Sequence, residues 1–393
     1  MTMSKNLSDH QLATLRLIRG RGIGPVTFYK LIAHYGNAQN AVAQLEAEDG
    51  RLKPASLAAT EREMKALGKM GAKLVFYTDD TYPEALKHIP DPPPVLAALG
   101  RLELLKTPMV AIVGARNASA NGCRLAQNIA AELGAEGWGV ASGLARGVDT
   151  AAHKGALTGG CGTIAVLGGG LDHIYPAENT DLFWRLAKEG LILAETPLGT
   201  KPTAQSFPRR NRIVSGLSAG VVVVEAARHS GSLITAQQAG EQGREVMAIP
   251  GHPSEPRSFG CNHLLRQGAT LVSSAEDILE AVKGFDHGAP AQHTPTLFTR
   301  ENQPTFDLTL PEESPAEQAP MEVEGSDEKE PKPLAAQVLD ALTPGQTAVD
   351  DVLANFNVPE SQLLATLTEL ELDGAIERLA GGYITLAVDE NTK

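Results

Sequence analysis

Cysteine is scarce in this chain: Cys123, Cys161 and Cys261 stand far apart, form no Cys-x-x-Cys spacing, and leave one thiol over from any pair. That pattern excludes a disulfide framework and argues against a zinc site, so the three read as ordinary buried thiols and no metal is expected. Also missing is an apolar run of about 18 residues, the length a membrane-spanning helix requires. The stretch from Met1 to Asp9 has no apolar core of a secretory signal. A cytoplasmic protein with no membrane partner is the expectation. No Gly-x-Gly-x-x-Gly fingerprint is present, and Ser142-Gly143 is followed by no acid placed to hold a ribose, which makes a dinucleotide reading weak; no cofactor is expected.

Positive charge is short overall, at a net of -13 over 393 residues, but it is unevenly divided. Residues 284–333 carry 11 acids and 3 bases, and residues 334–393 carry 10 acids and 2 bases, so each piece nets -8. The remaining residues, 1–283, hold 29 bases against 26 acids, a net of +3. A body able to bind anions thus carries an acidic tail. Within that body lies Phe207-Pro208-Arg209-Arg210-Asn211-Arg212, where three guanidinium groups crowd into four positions. The cluster is expected at an element boundary with its side chains reaching into a cleft, because the rigid fork of arginine fits phosphate at two points. A solvated basic turn after Pro208 is the plainer alternative. Phe207 is either a base-stacking ring or a core anchor for the loop, and Lys201 either adds a charge or is merely solvated.

From about Thr107 to Lys283, short apolar runs recur at strand length, namely 110–113, 139–142, 163–167, 191–194, 221–224 and 246–249. Helical stretches such as Gly122 to Leu133 and Ser232 to Gln242 separate them. Strands without polar alternation are buried on both faces and need crossover helices, which predicts a doubly wound parallel α/β sheet over residues 71–283. Lys73 to Tyr77 and Val95 to Leu99 are expected to extend it. Before it, residues 1–70 read as a small helical domain. Its two short helices flank Gly20-Arg21-Gly22-Ile23-Gly24-Pro25, either as a helix-hairpin-helix or SAM-like module or as an ordinary helix-helix turn. Residues 284–333, rich in Pro, Glu, Thr and Gln, read as a disordered acidic linker. Residues 334–393 show three helical segments and a hairpin across Gly381-Gly382, which suggests a winged helix. Its third helix, from Glu360 to Asp373, contains four acids and no base. Protein contact therefore suits it better than reading DNA, while Leu363, Leu364, Leu367 and Leu370 suffice to pack its own core.

In such a sheet, ligands bind beyond the carboxyl ends of the strands. The loop Gly114-Ala115-Arg116-Asn117-Ala118-Ser119 leaves one strand and precedes a helix, where free backbone N-H groups favour an anion. Gly114 lets the backbone come close and Arg116 offers a fork to phosphate. Ser119 either caps the helix or donates to the same oxygen. The next loop runs Ser142-Gly143-Leu144-Ala145-Arg146-Gly147-Val148-Asp149, again with glycines and an arginine. Asp149 and His153, four apart on one helix face, read as a cap and a hydrogen bond rather than an acid-base pair. Gly168-Gly169-Gly170 removes side chains along another strand exit, and Ser230-Gly231-Ser232 opens a further helix. Several such exits beside an arginine cluster suit several phosphates.

Taken together, Gly114-x-Arg116-x-x-Ser119, Ser142-Gly143-Leu144-Ala145-Arg146-Gly147-x-Asp149, Tyr175-Pro176, Phe207-Pro208-x-Arg210-Asn211-Arg212, Ser230-Gly231-Ser232 and Pro250-Gly251 closely resemble the DNA-processing protein A (DprA/Smf) family across roughly residues 107–275. Ala115 departs from the Ser or Thr frequent there. The resemblance implies binding of single-stranded DNA in an extended Rossmann-like domain, homodimer formation, loading of the RecA recombinase during natural transformation, and no catalytic turnover. An enzyme of the lysine-decarboxylase-like phosphoribohydrolase kind is the alternative. Its Pro-Gly-Gly-x-Gly-Thr-x-x-Glu loop finds no glutamate in His229 to Thr235, which leaves an acid-base role unfilled.

Overall fold

A computed structural model of the chain describes residues 7–48, 50–285, 333–342, 345–356, 358–379 and 381–387. Most of the expected acidic linker, residues 286–332, lies outside the described residues. Two compact units are formed, the larger drawn from Met1–Arg116 and Leu125–Leu297, the smaller from Asn117–Arg124 and Phe298–Lys393. Among the described residues no helix is long and apolar enough to cross a membrane.

The larger unit begins with four helices, Asp9–Ile18, Pro25–Tyr35, Ala38–Ala47 and Leu57–Lys69. Ser8 starts the first through a capping box with Gln11, and Pro25 occupies the opening turn of the second, where a missing N-H costs nothing. The hairpin between them is braced by Arg21, which pairs with Lys53 across an isolated bridge. Leu17, Ile23, Phe28, Ala38, Ala41 and Leu45 are buried together behind it. This module is tied to the sheet by Arg19, whose Nε meets Glu63 at 3.0 Å while Nη1 donates to the Glu195 carbonyl at 2.8 Å.

Nine strands follow: β1 (Lys73–Phe76), β2 (Val95–Gly100), β3 (Met109–Val113), β4 (Gly139–Ser142), β5 (Thr163–Leu167), β6 (Leu191–Ala194), β7 (Gly220–Val223), β8 (Glu245–Ala248) and β9 (Thr270–Leu271). They form one sheet in the order β1-β2-β6-β5-β4-β3-β7-β8-β9. All neighbours from β6 to β9 run parallel, and β1 and β2 add an antiparallel flank. Every residue of β3, β4, β5, β6 and β7 is buried, as unalternating apolar runs covered by helices on both faces must be. The chain winds outward from β3 to β6 and then returns to lay β7 on the other side of β3. That reversal places the switch point, where such folds bind ligands, beside the carboxyl end of β3.

The return crossover is the helix Ser206–Gly216, and the basic cluster occupies its first two turns. Pro208 is tolerated there because the first N-H groups of a helix lack intrahelical partners. A helix advances about 100° per residue. Consequently the arginines do not share one direction, a consequence that sequence crowding alone concealed.

The smaller unit contains the helices Leu334–Ala341, Val349–Asn355 and Glu360–Leu372 with strands β10 (Thr347–Ala348), β11 (Ile376–Leu379) and β12 (Tyr383–Leu386), ordered β10-β12-β11. This is the winged helix expected from the sequence. Leu363, Leu367 and Leu370 are buried with Val338, Leu342, Val352, Ile376 and Ile384, and Leu364 packs against them, so the apolar face of the third helix is spent on its own core. Its polar face exposes Glu360, Glu369 and Asp373, while Glu371 pairs with Arg378 at 2.7 Å.

Candidate nucleic-acid interface at the carboxyl edge of the sheet

Three strand exits, the segment that follows β6 and one helix build a cleft lined by Arg116, Gly143, Ala145, Leu167, Gly168, Gly169, His173, Tyr175, Pro202, Phe207 and Arg210. Its centre is Arg210. This side chain is 7 % exposed and its guanidinium lies directly over Gly143, where an added Cβ would fall 1.0 Å from Nη1. Only glycine leaves that space. Behind the guanidinium, Asp149 stands 3.9 Å away with its Oδ2 accepting from the backbone N-H of Gly143 at 3.0 Å and of Ala145 at 3.3 Å. Burial raises the Asp149 carboxyl and lowers the Arg210 guanidinium, and each group opposes the shift in the other. The arginine, starting far above neutral pH, remains a cation. Its Nε is buried with no hydrogen-bond partner among the described residues.

The loop that carries Gly143 is held in an unusual shape. Leu144 adopts a positive φ of 59°, a conformation that costs a branched residue roughly 1–3 kcal/mol. Two contacts offset it: the Leu144 side chain is fully buried in the core, and Asn179 Nδ2 donates to its carbonyl at 2.9 Å. At the end of the loop Gly147 has φ 70°, and a Cβ there would lie 2.3 Å from the Ala115 carbonyl oxygen. The two phosphate-suited loops, after β3 and β4, are therefore packed backbone to backbone.

Phe207 precedes Arg210 by three positions and so shares its helix face. The Arg116 guanidinium sits 4.9 Å from the Phe207 ring centroid and that of Arg210 sits 6.0 Å away. Tyr175, half exposed, approaches the same ring at 6.0 Å. An aromatic face between two cations results, at the open side of glycine-lined loops. Two glutamines, one in the next helix, Gly231–Glu241, and one at its C-cap, fix the position of the arginine helix: Gln238 donates to the Pro208 carbonyl at 3.1 Å and Gln242 to that of Arg212 at 2.9 Å. Both pairs are four residues apart, one helical turn on each side. Ser215 donates to the oxygen of Gln242 at 2.7 Å and closes the network.

The other sequence-predicted residues divide into two groups. Arg116, Arg209 and Lys201 are exposed, with no carboxylate in salt-bridge range among the described residues. Ser230 caps the helix Gly231–Glu241, Ser230 and Ser232 share a hydrogen bond of 2.7 Å, Gly231 is open to solvent, and Asn211 reaches the Gly231 carbonyl at 3.5 Å. Arg212 departs from the expected cleft placement. Two residues beyond Arg210, it points to the opposite side of the helix, where Asp91 (3.1 Å) and Glu195 (2.5 Å) hold it at 6 % exposure. Three other residues serve the scaffold. Ser119 is buried and accepts from the Gly122 N-H at 2.9 Å, Ser142 donates to the Ile112 carbonyl at 2.7 Å, and an added Cβ on Gly114 would meet Val148 at 2.6 Å. Arg146 pairs on the surface with Glu178 at 2.8 Å, an arrangement of small energetic weight. Tyr175, His173 and Pro202 line the cleft without having been marked as site residues. For Tyr175 the signal was present in the Tyr175-Pro176 motif.

These features define a doubly wound sheet with an arginine-bearing, aromatic-walled cleft at its switch point. The comparisons with known proteins give its family. Residues 73–283 match the model of DNA recombination-mediator protein A, residues 8–66 a DprA-like N-terminal HHH domain, and residues 315–382 a DprA winged helix domain. The chain belongs to the DNA recombination-mediator protein A family. It is 34 % identical to Protein Smf of Synechocystis over 92 % of this chain and 95 % of that one, and 40 % identical to Protein Smf of Escherichia coli over 78 % and 75 %. The solved structure of DNA processing protein A from Streptococcus pneumoniae superposes with a TM-score of 0.60 at 35 % identity, covering 71 % of this chain and 99 % of that one.

Asp149 and His153 occupy the structural roles expected of them. His153 is fully buried, with Nδ1 2.8 Å from Thr163 Oγ1. Because that hydroxyl already donates to the Val140 carbonyl at 2.6 Å, it accepts from His153, and the Nδ1 nitrogen carries the proton. Nε2 has no partner among the described residues, and burial, helped by nearby Arg210, lowers the imidazole to about 3. Unfolded chains therefore bind a proton that the native state refuses between the ordinary value of 6.5 and about 3. This contribution to stability is full above pH 6.5 and is lost as pH falls through that window. Urea unfolding at pH 7 and pH 4.5 should show His153→Gln losing about 2–3 kcal/mol less than the parent between the two pH values, since each pH unit in the window is worth up to about 1.4 kcal/mol.

Proposed function

We propose that this protein is a single-stranded DNA-binding mediator. In this reading it protects incoming DNA, loads the RecA recombinase in natural transformation, acts as a homodimer and catalyses no turnover. The observation that carries the reading is the Phe207 ring set between Arg116 and Arg210 at the mouth of glycine-lined loops. Guanidinium groups answer the phosphates, and the aromatic faces of Phe207 and Tyr175 answer bases. A duplex keeps its bases stacked inside, whereas a single strand offers them to such a surface. RecA loading and dimer formation rest on membership of a recombination-mediator family, and the absence of turnover on an acid, Asp149, committed to two amides and an arginine. Arg116, Arg209, Arg210 and Lys201 supply the charge, and Arg212 braces the helix that carries them.

Salt titrations separate these roles. Arg116→Ala and Arg209→Ala should weaken binding to every single-stranded sequence alike, and each lost phosphate contact should flatten the log-log salt slope by roughly 0.7. Arg212→Ala should instead lower stability by about 3–5 kcal/mol, the usual cost of orphaning buried partners, with the slope of the folded protein unchanged. A slope unaffected by Arg116 and Arg209 would contradict the cleft. Truncation after Lys283 removes the acidic winged helix and should retain most single-strand affinity, a collapse of binding in the folded truncation being the contrary result. Incubation with nucleoside monophosphates should release no base; release that depends on Arg116 would move the protein to the enzyme class.

A further inference from the structure

Farther along the same edge, beyond the cleft, lies a second cation-on-aromatic pair. The Arg228 guanidinium, in the loop after β7, rests 3.9 Å from the centroid of the Phe259 ring, which belongs to the helix Phe259–Arg266 after β8. His263 stacks on that ring at 6.2 Å and 11°. Arg228 is exposed and has no carboxylate in salt-bridge range among the described residues; burial lowers the His263 imidazole, helped by Arg266, also exposed, and by Arg228. This is the same chemistry as Arg116 on Phe207, and it sits at the exits of β7 and β8, whereas the cleft sits at the exits of β5, β4 and β3.

The two stations are joined. Arg228 lies two residues before Ser230, the cap of the helix Gly231–Glu241, and Asn211 on the arginine helix reaches the Gly231 carbonyl of that helix's opening turn. From the β5 exit to the β8 exit the sheet order β5-β4-β3-β7-β8 spans four strand spacings, about 19 Å at roughly 4.8 Å each. At the stacked rise of about 3.4 Å per nucleotide that is five or six nucleotides, and fewer when the strand is stretched. We propose that the strand held in the cleft continues across the opening turn of the Gly231–Glu241 helix onto a second stacking station, in which one base lies on the outer face of the Arg228 guanidinium backed by Phe259. Planar guanidinium groups and aromatic rings both accept unstacked bases of any sequence.

This proposal rests on the cleft reading, and the test separates the two. Fluorescence anisotropy with the full chain compares oligothymidylates of four and twelve nucleotides against the parent, Arg116→Ala, Arg228→Ala and Phe259→Leu, the last keeping an apolar side chain in the helix packing. Arg116→Ala should weaken both oligomers. Arg228→Ala and Phe259→Leu should weaken the twelve-mer about 5- to 100-fold, the usual value of one base stack, and leave the four-mer within about twofold of the parent. Twelve-mer binding untouched by either variant overturns the second station, and so does an equal loss on the four-mer, which would make the pair a support for the cleft. Insensitivity of both oligomers to Arg116→Ala overturns the cleft reading and the extension with it.

Discussion

Everything at the carboxyl edge depends on one buried cation. Arg210 is held over a glycine with a carboxylate behind it, and that arrangement dictates its surroundings. Gly143 must lack a side chain, Asp149 must accept from two amides beside the arginine, and Leu144 must accept a strained backbone so that those amides point inward. The desolvation of a charge is costly unless it is paired and hydrogen-bonded, so the loop, the acid and the helix form a unit whose parts cannot be exchanged singly. The pairing also leaves the guanidinium beside an aromatic ring, 6.0 Å from the centroid of Phe207.

The rest of the fold can be read as support for that unit. Parallel strands buried on both faces fix the exits of β3, β4 and β5 beside each other, and the chain reversal brings the arginine helix across them. Paired glutamines hold that helix against its neighbour, while Arg212 and Arg19 converge on Glu195 from the helix and from the N-terminal module. The arginines of one short motif thus are placed in two different ways, Arg209 exposed and Arg210 facing the cleft, and Arg212 holding the scaffold in place.

Much of this was legible in the sequence, for physical reasons. Runs such as Thr163 to Leu167 announce a doubly buried strand because polar alternation is absent, and glycines at strand exits mark close backbone approach. The leucine pattern from Leu363 to Leu370 described its own small core. What could not be read was direction. Crowded arginines look alike in one dimension, and only the turn of the helix sends Arg212 to Asp91 and Glu195 while Arg210 faces the cleft. Ser119 and Ser142 were equally ambiguous, since a hydroxyl that caps a backbone group and one that meets phosphate have the same spelling. Arg228 and Phe259, which lie 31 positions apart in sequence, meet only because β7 and β8 are neighbours.

The central claim is that this edge takes one strand, with bases on aromatic faces and phosphates on arginines. Its most direct test is an anisotropy titration of the full chain with a single-stranded oligonucleotide and with its own duplex, each repeated for Phe207→Ala. The account predicts that the single strand binds at least about tenfold more tightly than the duplex, and that the substitution removes much of that preference by deleting a stack worth about 1–3 kcal/mol. Equal or tighter binding of the duplex, or a preference indifferent to Phe207, would contradict it.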